Sequence, residues 1–400
     1  MDFIIDIILS MEKNIPSPFS IEGIHYLTGK PVMIEISDGL IGDVKDIDLL
    51  IERNKNVFIA PGLIDNQING YVNVDFSGNN LSVQDLLIAA KAIWREGVTS
   101  FLPTLVTNSN DNLLRNFGIL DKAIKTDKQL DESIPGFHLE GPYISPLEGF
   151  RGAHPLKYIR KPSWDEFMRY QEAAGGRIIQ ITIAPELEGA MDFVSSCART
   201  GITVAIGHTN ATADQILQAV ECGARLSTHL GNGCANLINR HKNPIWPQLA
   251  NDQLTPSIIA DGLHLTPEEI RVFYKVKGSE NIILTSDVVF LAGMAPGKYS
   301  FLESEVILTS EGTIMNTELN CLAGASFPLK KGVENIMNFT GCSLTKAINM
   351  ASGNVAHVYG LNDRGALSRG QRADIIQFER NGNELKISKT ILKGQTVFEA

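Results

Sequence analysis

The sequence predicts an α/β fold: a (β/α)8 barrel with a small β-sandwich built from both chain termini. Two observations carry that expectation. The middle of the chain is rhythmic, with eight short apolar runs that end in polar residues: 57–65, 99–107, 134–140, 178–185, 202–208, 224–229, 257–264 and 281–287. The stretches between them, such as 83–96, 212–222 and 267–277, have helical periodicity. Eight such units over about 300 residues suit a barrel, whose usual size is about 250 residues and upward. The second observation is that both ends read differently from the middle, as short strands and tight turns. A doubly wound open sheet is the alternative, but no GxGxxG opens the first unit.

Taken in order, residues 1–57 form the N-terminal part of the sandwich, with strands at 32–36 and 39–42. Residues 58–362 form the barrel, and 363–400 complete the sandwich with strands at 373–378, 387–392 and 396–398. Lys393-Gly394-Gln395 reads as the turn between the last two. No repeat or low-complexity segment interrupts the chain.

Composition bounds the function. With 44% hydrophobic and 20% charged residues among 400, a large core is expected and global disorder is excluded. Lys and Arg number 35 against 45 Asp and Glu, a formal net charge of -10. General binding to nucleic acid or an anionic membrane needs the opposite balance, so neither is expected as a partner. An anionic substrate would need a local cation. The 5 cysteines form no CxxC pair, which suits free thiols in a reducing compartment. The leading MDFIIDIILSMEKN carries Asp2 and Asp6 and lacks a basic start, so it is a poor signal peptide. No apolar stretch reaches the roughly 18 residues of a membrane span. A cytoplasmic protein is expected.

Where the polar residues fall is the informative fact. Five runs finish in a potential ligand or acid–base group, namely Asp65, Glu140, His208, His229 and Asp287, and His264 closes a sixth. Barrel enzymes gather their chemistry at the C-terminal strand ends, so these groups can meet. One carboxylate and two imidazoles, Glu140, His208 and His229, are a common donor set for Zn²⁺ or a related divalent ion with a position left for water. Such an ion lowers the pKa of its water towards about 7. Asp287, after the last strand, could take a proton and return it to a leaving group.

At this point the chain resembles the N-acetylglucosamine-6-phosphate deacetylases of the amidohydrolase superfamily. The resemblance runs over nearly the whole chain, through APGLIDNQING (60–70), HLEGPYIS (138–145), GHTNATADQ (207–215), STHLGNG (227–233), ADGLHL (260–265), TSDVVFLAG (285–293) and CLAGASFPLKKGV (321–333). It implies that Glu140, His208 and His229 hold one divalent metal ion per subunit. Zinc is the first choice; iron, cobalt or manganese are the alternatives. It further implies Asp287 as general base and then general acid, and His154, in GFRGAHP, as a group polarising the acetyl carbonyl. Asn232, Gly233 and Arg240 would contact the sugar phosphate, and His264 a sugar hydroxyl or the phosphate. A homodimer is expected, with Arg240 and its neighbours reaching the adjacent subunit.

The residues themselves agree with part of this. Arginine offers phosphate a planar fork of donors, and Asn239-Arg240-His241-Lys242 is a local positive site on an acidic chain; a solvated basic loop tip is the other reading. His138 shares a strand face with Glu140 and either orients the ligands from behind, lies near the substrate or packs in the core.

Several residues depart from the family pattern. Many amidohydrolases carry His-x-His at the first strand end, where Gln67 and Asn69 stand here. Neutral amides are poor transition-metal ligands, so a mononuclear site is expected, with the two amides behind it. Gly231, Gly233 and Cys234, and the apolar Val288-Val289-Phe290, change the expected substrate mouth. Cys234 is either a pocket residue or a small buried hydrophobe.

The leading reading is hydrolysis of N-acetylglucosamine 6-phosphate to glucosamine 6-phosphate and acetate, in amino-sugar catabolism. A deacylase of another N-acylated sugar or amino acid, and a non-catalytic sugar-phosphate binder, are the alternatives.

Overall fold

The structure, a computed structural model, describes residues 18–48 and 56–400. The leading segment read above as a poor signal peptide lies outside the described residues.

The N-terminal strands are β1 (Phe19–His25), β2 (Pro31–Ser37), β3 (Leu40–Asp46) and β4 (Val57–Pro61). β1 and β2 alternate buried and less buried residues, the pattern of strands with one face on a core. Barrel strands follow as β5 (Leu63–Ile68), with a small hairpin of β6 (Gly70–Tyr71) and β7 (Val74–Asp75) beyond it. They continue as β8 (Val98–Val106), β9 (Phe137–Glu140), β10 (Ile178–Ile183), β11 (Thr203–Ile206), β12 (Leu226–Ser227), β13 (Thr255–Ile259) and β14 (Ile283–Thr285). These eight barrel strands pair in sequence order. β5, β8 and β9 are buried at every residue, as strands covered by helices on one side and barrel interior on the other must be.

The barrel closes between β5 and the chain just after β14. Ile68 and Val288 form a parallel bridge. The Asp287 N–H donates to the Gln67 carbonyl at 3.1 Å, and the Asn69 N–H to the Val288 carbonyl at 2.8 Å. Asp65 belongs to this seam and not to the chemistry. Its Oδ1 accepts from Thr285 Oγ1 at 3.0 Å and from the Ser286 N–H at 3.2 Å. It is a fully buried tie between the first and last strands.

The run 57–65, read above as one barrel strand, is two. β4 pairs with β1 and with the C-terminal β19 (Ile375–Asn381), and only from Leu63 does the chain enter the barrel. The break falls at Gly62, where an added Cβ would lie 2.1 Å from Thr99 Oγ1. Only glycine lets the backbone pass so close to β8. The remaining strands of this sheet are β20 (Glu384–Leu392) and β21 (Gln395–Glu399), giving the order β21-β20-β19-β4-β1-β2-β3. The expected sandwich is thus one continuous sheet from both termini. It curls so that Leu40 of β3 bridges Arg372 and Gly39 meets Lys393.

One helix shows how the parts are joined. The helix Val83–Arg95 buries Leu86, Ala89, Ala90, Ile93 and Trp94, a single apolar stripe at helical spacing. Asp85 Oδ2 accepts the Ser82 N–H at 2.8 Å and fixes its start. Trp94 links the helix Lys128–Ser133 to the terminal sheet. Its Nε1 donates to Ser133 Oγ at 2.9 Å, and Thr390 Oγ1 donates to its carbonyl at 2.7 Å. Barrel and terminal-sheet residues share one apolar core, each fully buried large side chain contributing about 1.5–3 kcal/mol.

An antiparallel sheet of β15 (Gly297–Phe301), β16 (Ser304–Leu308), β17 (Ile314–Asn316) and β18 (Cys321–Leu322) is inserted between β14 and the helix Leu329–Thr340. It has its own small core around Phe301, Val306 and Leu308.

Candidate active site

The C-terminal strand ends carry the polar groups, in two ways. Glu140 is the last residue of β9. His208, His229 and Asp287 each lie two residues beyond β11, β12 and β14. All three adopt left-handed backbone, at φ 49, 29 and 53°. Non-glycine residues rarely do so, and such strain persists where the surroundings hold it and the side chain is needed there. The positive φ removes these side chains from the alternation of the strands.

The groups converge. Glu140, His154, His208, His229 and Asp287 are each 8% exposed or less. Glu140 Oε1 lies 2.9 Å from His229 Nε2 and 3.3 Å from His208 Nε2, and Oε2 lies 4.0 Å from His154 Nε2. The donor atoms of Glu140, His154 and His208 fall within 4.8 Å of one another. This group includes His154, which the family resemblance set beside the acetyl carbonyl. His229 joins through its bond to the shared carboxylate.

The donor chemistry fits a metal. His208 Nδ1 donates to the Phe150 carbonyl at 3.1 Å, which turns the Nε2 edge of the ring towards Glu140. Two glycines hold that ring: a Cβ on Gly233 would lie 2.9 Å from its Nδ1, and one on Gly152 3.1 Å from its Cε1. Gly233, expected to touch substrate, packs against the His208 ring. Burial would raise Glu140, but the hydrogen bonds and charges of His208 and His229 hold it well below the usual carboxylate range. Burial, with His208 nearby, lowers His154 to about 3, so its ring is neutral near pH 7.

Asp287 is held from one side. Its Oδ1 accepts from Gln67 Nε2 at 2.8 Å and from Asn69 Nδ2 at 2.7 Å. The two amides that stand in place of His-x-His turn to Asp287. Burial raises Asp287 above the ordinary carboxylate value, His229 opposes this, and the Glu140 charge adds to it.

A cavity of about 370 Å³ opens over these groups. Asn69, Glu140, His154, His208, His229, Asn232, Gly233, His264 and Asp287 all line it. His264 is oriented by Asp261, a residue the sequence reading missed: Nδ1 donates to Asp261 Oδ2 at 2.7 Å. An Asp three residues before a strand-end His was the available signal. Of the altered mouth residues, Gly231, Gly233, Cys234 and Val289 line the cavity. Val288 and Phe290 do not, and pack inside the protein. The inserted sheet, also missed, contributes Phe301, Leu302, Cys321 and Leu322 to the wall.

Two expected residues stand elsewhere. Arg240 is exposed and outside the cavity lining of its own chain. His138 is fully buried, with Nε2 2.8 Å from Thr182 Oγ1 and Nδ1 3.3 Å from Thr104 Oγ1. Burial lowers it to about 3, and Thr182 continues to Thr228 at 2.7 Å. It packs the barrel interior beneath the site and is not among the residues that line the cavity.

Residues 58–397 match the model of the amidohydrolase family. The chain belongs to the amidohydrolase family. It is 31% identical over 344 residues to N-acetylglucosamine-6-phosphate deacetylase of Lysinibacillus sphaericus, 84% of this chain and 85% of that one. It is 28% identical over 369 residues to N-acetylgalactosamine-6-phosphate deacetylase of Escherichia coli O157:H7, 90% of this chain and 93% of that one. The crystal structure of N-acetylglucosamine-6-phosphate deacetylase from Thermotoga maritima superposes with a TM-score of 0.83 at 29% identity, covering 96% of this chain and 100% of that one. Among the described residues no helix is long and apolar enough to cross a membrane.

Proposed function

We propose that this amidohydrolase removes the acetyl group from N-acetylglucosamine 6-phosphate, giving glucosamine 6-phosphate and acetate. The observation that carries the reading is the meeting of Glu140, His208 and His229 with a separately held Asp287 at one cavity. A sugar-phosphate binder has no use for both a metal donor set and an acid–base group.

Glu140, His208 and His229 would hold one divalent ion per subunit, with zinc the best match to a carboxylate and two imidazoles. When bound, such an ion supplies Lewis-acid polarisation and a water of lowered pKa. Asp287 takes the proton of the attacking water at the oxygen opposite its two amide bonds. It then delivers that proton to the departing nitrogen, as a raised carboxylate can. His154, neutral and buried at the cavity wall, donates its N–H to the acetyl oxygen as negative charge develops there. His264 binds the sugar, its ring fixed by Asp261. Arg240 binds the phosphate across a dimer, which accords with its exposure outside its own cavity. A phosphorylated substrate and five free cysteines support the reading of a cytoplasmic enzyme.

Acetate release from N-acetylglucosamine 6-phosphate tests the reading. Asp287→Asn should lower kcat by about 100-fold or more with metal content kept. Full activity in that variant would remove the proton shuttle. His229→Gln should lose metal, and His154→Gln should keep metal but lose turnover; the reverse pattern would exchange their roles. A second reading, the N-acetylgalactosamine epimer, is favoured by the altered mouth at Gly231 and Cys234 and by the relative of that specificity. Comparing kcat/KM on the two epimers decides between them.

A further inference from the structure

The apolar Val289-Phe290 after Asp287 and the inserted sheet belong together. Val289, Phe290 and Leu291 form one small core with Phe301, Val306 and Leu308, apart from the main core. Phe290 packs on Phe301 at 5.5 Å between ring centroids and edge-on against Tyr299 at 6.5 Å. Two half-buried residues complete this cluster at the cavity: Leu302, and Ala153 beside His154.

Leu302 sits in an unfavourable place. It and Glu303 form the two-residue turn between β15 and β16, with φ of 49 and 65°. Both central positions of such a hairpin require left-handed backbone, which Asn-Gly supplies at little cost. A branched apolar residue there is strained, yet its side chain lines the substrate cavity. The turn is fastened at its outer side. Lys157 Nζ lies 2.7 Å from Glu303 Oε2, and Tyr158 Oη donates to Glu303 Oε1 at 3.2 Å. These partners follow His154 on the same loop. Both ionic groups are more than half exposed, so the fastening is weak and reversible.

We propose that the Leu302–Glu303 turn is a clasp over the active site. Leu302 touches the bound sugar phosphate, and Glu303 is a positioning residue that fastens the turn to the His154 loop. The strain is retained because a residue suited to the turn would not cover the substrate. This deepens the deacetylase reading and rests on it.

Two variants test it on the metal-loaded enzyme. Leu302→Asn suits the turn but removes the apolar contact. It should melt at the same or a higher temperature while KM rises about tenfold and kcat stays within about twofold, the size expected for a lost apolar contact. Lys157→Ala leaves the turn intact and should raise KM about two- to fivefold, as loss of an exposed ion pair allows. Combined with Glu303→Gln it should add nothing further. A purely structural turn would leave KM unchanged in Leu302→Asn whatever the melting temperature, and that result overturns the clasp. Absence of acetate release by the unmodified enzyme would instead overturn the deacetylase reading.

Discussion

Replacing Gln67 with Met removes one of the two N–H groups that Asp287 Oδ1 accepts, at 2.8 Å from Gln67 and 2.7 Å from Asn69. Met matches the length of Gln and carries no donor, and Gln67 Oε1 is already buried without a partner, so little packing is lost. A hydrogen bond to a charged group is worth about 1.5–3 kcal/mol. These donors favour the ionised carboxylate, so losing one makes Asp287 easier to protonate, in the direction that burial already pushes it. The acidic limb of the kcat/KM profile should move to higher pH. On that limb the variant should run about 10- to 100-fold below the unmodified enzyme, since 1.4 kcal/mol is tenfold. The two profiles should approach each other where both carboxylates are ionised. The assay is initial-rate acetate release over about pH 5 to 9, read as kcat/KM. Superimposable profiles would refute the role given to the amides. A fall that is equal at every pH would show that Gln67 places the carboxylate without holding its charge.

Three further outcomes are expected. Gly233→Ala combines a left-handed φ of 60° with a Cβ 2.9 Å from His208 Nδ1. The backbone alone costs about 1–2 kcal/mol, and displacement of the His208 ring should lower metal content, measured by elemental analysis. Arg240→Ala should leave the melting temperature unchanged, because the side chain is exposed, and raise KM for the phosphorylated substrate about tenfold or more through the lost charge-assisted bonds. An unchanged KM would withdraw phosphate binding from that loop. Asp65 is raised from 3.8 to about 6 by burial, against the bonds from Ser286, Gln67 and Thr285. The folded chain then holds this proton more tightly than the unfolded one. Its contribution is complete below about pH 4 and is lost as pH rises through about 6. Asp65→Asn should flatten the slope of melting temperature against pH in that window, and an unaltered slope would exclude Asp65 as its source.

Much of this site was legible because barrel architecture repeats. A short apolar run that stops at a polar residue marks a strand end, and strand ends meet, so Glu140, His208, His229 and Asp287 could be grouped before any coordinates. The helices 83–95, 213–221 and 267–277 were legible from periodicity within a residue or two. What failed had a common cause. The run 57–65 looked continuous because local hydrophobicity does not register the close pass of Gly62 against Thr99, 37 positions on. The inserted sheet at 297–322 escaped because its strands are short and the apolar residues they cover lie outside the barrel rhythm.

The sequence by itself determined the barrel, the paired termini and which polar residue types stand at the strand ends, since each depends on local pattern or on residue type. Only the tertiary structure decided what those residues do to one another. Gln67 and Asn69 turn to Asp287 because barrel closure brings together positions 220 and 218 residues apart. His138 turns inward to Thr104 and Thr182, away from the cavity, because its neighbours on β8 and β10 offer hydroxyls at that level. Leu302 reaches the cavity because a separate sheet folds back over it. The direction of an amide or an imidazole is set by partners far along the chain, and pattern along the chain carries no record of them.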